Sequence, residues 1–143
     1  YRYKDNLIKE ETVSINFRGK YLGLYLDQIK TLNIHEYKSF YIVRDLYPVT
    51  YLHSLVIPKR HIVSYFECNQ DEYNEIPIVL STQKTELTLT DESITGFNIG
   101  MNIGEDAGQT IFHFHIHIIP RRKGDIENPR GGVRGVIPNK QGY

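Results

Sequence analysis

Between residues 40 and 57 the apolar positions come in two short runs with a break between them. Phe40, Tyr41, Ile42 and Val43 form a β-branched and aromatic run, which Asp45, Leu46, Tyr47 and Pro48 end as a turn. Residues 52 to 57 form a second run, stopped by Pro58. The pair predicts two strands of a hairpin or meander. Farther on the period changes. Asn69 followed by Glu72 is a variant of the capping box that opens helices, and Tyr73, Ile76, Leu80 and Leu87 then recur at helical spacing. Pro77 lies inside that pattern, and is expected to kink the helix or to move its start. Residues 97 to 102 predict another strand, 104 to 108 a turn, and 109 to 119 the strongest strand of the chain. Residues 1 to 34 carry little signal; Tyr21, Leu22, Leu24, Tyr25 and Leu26 suit either a short helix or a strand.

Several strands and one substantial helix imply an α+β domain with a mainly antiparallel sheet. The expected organisation is an N-terminal extension over 1–34, a folded domain over 35–125 and a C-terminal tail over 126–143, with no internal repeat. The tail is rich in Gly and Pro. Residues 121 to 140, which span its start, hold six basic residues against Asp125 and Glu127. It reads either as a solvated terminus or as a source of Arg130 or Arg134 for a phosphate.

Composition narrows the class of function. The chain has 143 residues with 17 basic and 17 acidic side chains, so nothing draws it generally to nucleic acid or to an anionic membrane. Any anionic ligand must be held by local groups. No apolar run is long enough to span a bilayer, and the first residues lack the apolar core of a signal peptide. Cys68 is the single cysteine, in keeping with a reducing compartment; a cytoplasmic protein is expected, with Cys68 a bystander near a helix start.

Three of the six histidines fall in Phe112-His113-Phe114-His115-Ile116-His117-Ile118. On a strand, alternate side chains share a face. His113, His115 and His117 are therefore expected in a row on one face, with Phe112, Phe114, Ile116 and Ile118 packed on the other. Packing alone does not ask for such a row. One alternative is a metal site. Neighbouring members of the row lie about 6.7 Å apart along a strand and the outer two about 13 Å, too far for all three to converge on one zinc. A further ligand such as His53 or Asp45 would be needed. The other alternative is phosphoryl chemistry. An imidazole titrates near pH ~6.5, so one ring can attack phosphorus uncharged while a protonated neighbour steadies the oxygens or the leaving group. Gly108, Gln109 and Thr110 stand directly before the histidines and offer backbone, an amide and a hydroxyl to an anion.

The stretch from Gly108 to Arg121 resembles the signature of the histidine triad (HIT) family, in which His alternates with hydrophobic residues. Asp45 to Val49, His53 to His61 and Phe97 to Gly104 resemble its earlier landmarks, in the same order. The similarity covers roughly residues 36 to 125. It implies a HIT-like fold with one longer and one short helix, and a sheet extended across a homodimer. It also implies that His115 is the nucleophile and forms a nucleotidyl-histidine intermediate, that His113 orients the array, and that His117 contacts phosphate and assists the leaving group. By the same resemblance Asp45 binds ribose hydroxyls and Asn102 contacts phosphate or leaving group. Gly108, Gln109, Thr110 and Ile111 line the phosphate site, and His53 supports the triad from behind.

The residues after His117 look more like the diadenosine polyphosphate hydrolases (the Fhit-like side) than the phosphoramidases of the Hint type, and the tail resembles a bacterial subgroup. The implied substrate is a purine nucleotide, with AMP as product. No metal is required, though Mg²⁺ accompanies many polyphosphates. Two other classes stay open: a nucleotide-binding protein with little catalysis, and a metal-binding protein. The sequence departs from the family at Tyr51 and Leu52, where a Pro-Gly-like turn is usual, and at Pro77. It also has no paired cysteines for the family's optional structural zinc.

Overall fold

A computed structural model describes residues 35–143. Its centre is one antiparallel sheet of five strands: β1 (His35–Glu36), β2 (Phe40–Arg44), β3 (Ser54–Pro58), β4 (Ile94–Gly100) and β5 (Ile116–Arg122). Their order across the sheet is β1-β2-β3-β5-β4. Between β3 and β4 runs the single α-helix among the described residues, α1 (Gln70–Thr90). This is the α+β arrangement that the patterns predict. No second α-helix is present among the described residues, and the run at residues 21 to 26 lies outside them.

Strands β2 and β3 form where expected, because their residues suit a surface buried on both sides. Cross-strand partners share a face, so the register divides them. Ile42 pairs with Val56 and Val56 with Ile116 on one face; Val43 pairs with Leu55 and Leu55 with His117 on the other. Helix α1 covers the first face, burying Val79 and Leu87 against Phe40, Ile42, Val56, Ile116 and Ile118. Each buried aliphatic side chain of this kind contributes about 1.5–3 kcal/mol. His117 is thereby committed to the sheet face away from the helix.

The capping box at the helix start is complete. Glu72 N–H donates to the Asn69 side chain, and Asn69 N–H donates back to the Glu72 carboxylate, both at 2.8 Å. Pro77 neither moves that start nor ends the helix; its ring is exposed, on the side where a lost backbone bond is replaced by water. The buried seam consists of Glu72, Val79, Gln83 and Leu87, while Tyr73, Ile76 and Leu80 flank it half-buried. Arg60 pairs with the Glu72 carboxylate through Nε and a terminal nitrogen, which explains an acidic residue in the seam. Cys68 is buried beside this cap, and burial pushes its thiol up to about 11. It is a packed, unreactive thiol. No helix among the described residues is long and apolar enough to cross a membrane.

The expected strand over 109–119 is displaced. β5 starts at Ile116 and continues through Pro120 to Arg122. Residues 109 to 115 instead form an irregular segment, tied to the loop after β3 by Phe114 N–H donating to Ile62 O at 2.7 Å. At the far end, Arg121 pairs with Asp125 and Arg122 with Asp91, so two ion pairs hold the chain extended beyond the proline.

Candidate functional site

The irregular segment changes how the three histidines are presented. His117 is on β5; His113 and His115 precede it. His113 is 0% exposed, and its ring packs against His61 at a centroid distance of 5.0 Å rather than standing in an open row. The rings of His115 and His117 meet edge-on at 5.2 Å, both half-buried. The expected row of three is therefore two presented rings and one interior ring. The alternation holds where the strand exists and fails where the backbone leaves it.

Hydrogen bonds assign the tautomer of each ring. The Nε2–H of His113 donates to Pro58 O at 2.9 Å, leaving Nδ1 to accept from Nδ1–H of His61 at 3.1 Å. The Nδ1–H of His115 donates to the carbonyl of His113 at 2.9 Å, which leaves the Nε2 lone pair of His115 uncommitted. Across the sheet, Val49 N–H donates to Nδ1 of His53 at 3.0 Å. His53 must then carry its proton on Nε2, where it donates to Nδ1 of His117 at 2.9 Å. His117 in turn carries its proton on Nε2. His53 is 2% exposed, so this chain of donors is shielded from water.

Burial lowers the basicity of the whole array. It takes His113 down to about 3 and His117 to about 4, and lowers His115 and His53, with the Asp45 carboxylate pulling the last three partly back. The expectation of one neutral and one protonated ring is corrected here. Desolvation favours the uncharged form of His113, His115 and His117, and among the described residues Asp45 is the carboxylate that opposes it, at His115 and His117.

The remaining expected site residues divide. Asp45, at the end of β2, has a carboxylate oxygen 3.5 Å from Nε2 of His53, and its other oxygen accepts from Tyr47 N–H at 2.8 Å. Asn102 is exposed just beyond β4, on the wall of a cavity shared with His53 and His117. Gly108, Thr110 and Ile111 lie on the turn leading to His113. Gln109 does not offer its amide to an anion. It is 3% exposed, accepts from Gly104 N–H at 2.9 Å and donates to the carbonyls of Val63 and Ile111 at 2.9 and 3.2 Å. The N–H groups of Gly108 and Gln109 are likewise bonded, to Glu105 O and Gly104 O. Gln109 is the brace of the turn.

Sequence reasoning missed the part played by His61, because nothing local marks a histidine three residues after a strand as the partner of another 52 positions on. Leu52, which the sequence marks as a departure from the family's Pro-Gly-like turn, takes φ 73°. The left-handed residue of the turn is therefore a leucine. Thr50 in the same turn donates to Pro120 O at 2.6 Å and ties it to β5.

Donor atoms of Asp45, His53 and His117 lie within 4.8 Å of one another, the spacing of a metal-ligand set. The hydrogen bonding argues against that use. A metal-bound histidine presents a lone pair to the ion and donates from its other nitrogen. His53 has the opposite arrangement, with Val49 N–H occupying Nδ1. Binding an ion through Nε2 would set two N–H donors against each other.

Comparison with known proteins adds the following. A family model described as "HIT domain" matches residues 27–124. A bis(5'-adenosyl)-triphosphatase from Dictyostelium discoideum is 36% identical over 110 residues, covering 76% of this chain and 71% of the relative. Among solved structures, a zinc-bound histidine triad family protein from Mycobacterium smegmatis superposes with a TM-score of 0.59 at 30% identity, over 69% of this chain and 76% of that one. The diadenosine triphosphate hydrolase of Plasmodium falciparum, in complex with cyclomarin A, superposes with a TM-score of 0.66 over 90% of this chain and 78% of that one. At 23% identity, that likeness is one of fold.

Proposed function

The chain belongs to the HIT domain family, and on that premise we propose that it hydrolyses a nucleotide between its α-phosphate and the leaving group, with His115 as nucleophile. The observation that carries this reading is the Nδ1–H bond from His115 to the His113 carbonyl, which leaves Nε2 as an unprotonated donor of electrons at neutral pH. In the first half-reaction the Nε2 lone pair forms a bond to phosphorus as the bond from phosphorus to the leaving oxygen breaks. That oxygen keeps the electron pair and meets the Nε2–H of His117. In the second half-reaction water attacks the same phosphorus, the P–N bond breaks back to His115, and the water's proton passes to solvent. The products are a nucleoside monophosphate and the leaving group.

His113 and His61 act as positioning residues behind the nucleophile, and His53 sets the tautomer of His117. Asp45 is assigned to the ribose hydroxyls, Asn102 to phosphate or leaving group, and Thr110 and Ile111 to the phosphate through their backbone or, for Thr110, its hydroxyl, with Gly108 shaping the turn that presents them.

The neutral state of His117 favours one leaving group over another. A phosphate oxygen of a polyphosphate departs as an anion and needs only a hydrogen bond, whereas an amine must receive a proton. With His117 lowered to about 4, the site suits a phosphoanhydride better than a phosphoramidate. The Dictyostelium relative, a bis(5'-adenosyl)-triphosphatase, supports adenosine in the retained half. We also assign the working form as a homodimer joined at β4, which has a neighbouring strand on only one side among the described residues. Light scattering should give twice the mass of one chain.

Release of AMP from diadenosine triphosphate, ATP and adenosine 5'-phosphoramidate tests the reaction, beside a His115→Ala variant. The expected result is AMP release by the wild type, none by the variant, and an AMP–protein adduct on acid quenching. Undiminished turnover by the variant would overturn the assignment.

A further inference from the structure

One ring proton stands between two acceptors beside the nucleophile. His53 accepts from Val49 N–H at Nδ1, 3.0 Å away, and burial disfavours its ionised form, so its single N–H is at Nε2. That Nε2 faces His117 Nδ1 at 2.9 Å and Asp45 Oδ2 at 3.5 Å. The first distance is an ordinary hydrogen bond, and the second is longer than one. A carboxylate is nonetheless the stronger acceptor, because its charge roughly doubles the strength of a bond it receives. A small movement of the His53 ring exchanges the two partners. The place is also shielded: the side chain of His53 is 2% exposed and that of Asp45 18%, so water does little to level the difference. Tyr47 N–H holds the other carboxylate oxygen, Oδ1, at 2.8 Å, which leaves Oδ2 as the competing atom.

We propose that Asp45 and His117 compete for the Nε2 proton of His53, and that ribose hydroxyls on Asp45 release this proton to His117. The inference rests on the nucleotide-hydrolase reading above, in which Asp45 receives the ribose, and gives the sugar a part in the chemistry. Ribose hydroxyls donate to Oδ2 and fill the lone pairs that face His53. The carboxylate then draws less on His53, and the bond from His53 to His117 tightens. With Nδ1 of His117 occupied as an acceptor, the proton of His117 must stand on Nε2, where it meets the leaving oxygen. A sugar without hydroxyls leaves Oδ2 unfilled. His53 then turns its proton toward Asp45, and His117 is free to carry its own proton on either nitrogen, of which only one serves the leaving group. His53 is the positioning residue, and Asp45 is the group on the substrate that sets it. Two observations place the carboxylate close enough for this. Ligand atoms of Asp45, His53 and His117 all lie within 4.8 Å of one another. Burial lowers the basicity of His53, His115 and His117, and Asp45 opposes it in all three. Sugar recognition should therefore appear in the rate of bond breaking and not in binding alone.

The test compares diadenosine triphosphate with its counterpart lacking the 2'- and 3'-hydroxyls on both sugars, in the full chain. The readouts are KM and the saturating single-turnover rate of cleavage. In the wild type the dideoxy substrate should raise KM and also slow cleavage about tenfold, within the reach of one hydrogen bond. His53→Gln offers two amide hydrogens, one for each acceptor, so nothing is left to compete for. Its cleavage rates for the two substrates should agree within about twofold, while its KM ratio stays that of the wild type. Equal wild-type rates with only KM changed, or the same rate ratio in His53→Gln, would overturn the competition and leave the hydrolase reading intact. Because a buried substitution can disturb folding, the wild type is also read by nitrogen NMR of its histidine rings. AMP should move His117 toward its Nε2–H form, and 2',3'-dideoxy-AMP should not; identical His117 signals with both would equally overturn the competition. A wild type that cleaves neither substrate would overturn the hydrolase reading itself.

Discussion

The Nε2–H of His53 points at Nδ1 of His117 across 2.9 Å. A residue assigned no bond-making role thereby decides which nitrogen of His117 carries the proton presented to substrate. The control begins one step earlier, at the backbone N–H of Val49. Replacing His53 with Ala removes the donor and leaves both Val49 N–H and His117 Nδ1 unmatched. We expect kcat to fall on the order of tenfold to a hundredfold. His53→Gln can accept from Val49 through its carbonyl and donate to His117 through its amide, so it should retain at least several-fold more activity than the alanine variant. Equal kcat values would rule out tautomer control.

Acid should destabilise the fold, and His113 provides most of the argument. Its folded value, about 3, lies below the ordinary value of 6.5. The unfolded chain therefore binds a proton that the folded chain refuses once pH drops below 6.5, and stability falls progressively as pH moves from there toward the folded value. For this one ring the loss between pH 7 and pH 5 is about 2 kcal/mol. His113→Asn, by removing that proton site, should flatten the dependence of thermal midpoint on pH over this range. An unchanged slope would show that His113 is not its source.

The phosphate turn should fail through its brace. Gln109→Ala leaves Gly104 N–H and the carbonyls of Val63 and Ile111 without the partner they share. A loss of about 1–3 kcal/mol is expected in chemical denaturation, together with a raised KM. Gln109→Glu should be no better, since a carboxylate cannot donate to two carbonyls. Wild-type stability in the alanine variant would show that the brace carries no weight.

One position offers improvement. Gln83 is wholly buried in the helix seam; its nitrogen donates to the Tyr37 hydroxyl at 3.2 Å, and its oxygen has no partner among the described residues. Gln83→Met keeps the volume and removes the unmatched acceptor. We expect a gain of about 1 kcal/mol, read as a higher thermal midpoint. A lower midpoint would mean that the Tyr37 bond outweighs the orphaned oxygen.

How much of this was legible in the sequence depended on how locally each element is determined. β2 was readable to the residue, because its β-branched and aromatic run is cut off by its own turn. The helix start was readable because Asn69 and Glu72 bond each other's backbone N–H within three residues. β5 was misplaced at both ends by non-local bonds. Phe114 is drawn to Ile62 on the near side, and Asp91 holds Arg122 on the far side. The candidate histidines were identified, yet the depth of His113 was not, since alternation speaks of faces and says nothing of what covers them. The tail was least legible. Its glycines and prolines match those of a loose terminus, and only its closure on Gln141 and Asn98 separates the two cases.

Leu52 gives the active-site turn an unusual tolerance. A left-handed backbone at a leucine costs roughly 1–2 kcal/mol against the same residue in an ordinary conformation, while its side chain still packs at the edge of the core. Branching at Cβ would crowd that conformation further, so valine and isoleucine are the wrong hydrophobic choices there, and asparagine or glycine the right polar and small ones. Natural variation at this site should therefore follow backbone permissiveness rather than hydrophobicity, and a library built on apolarity alone would favour the branched residues that fit this backbone least.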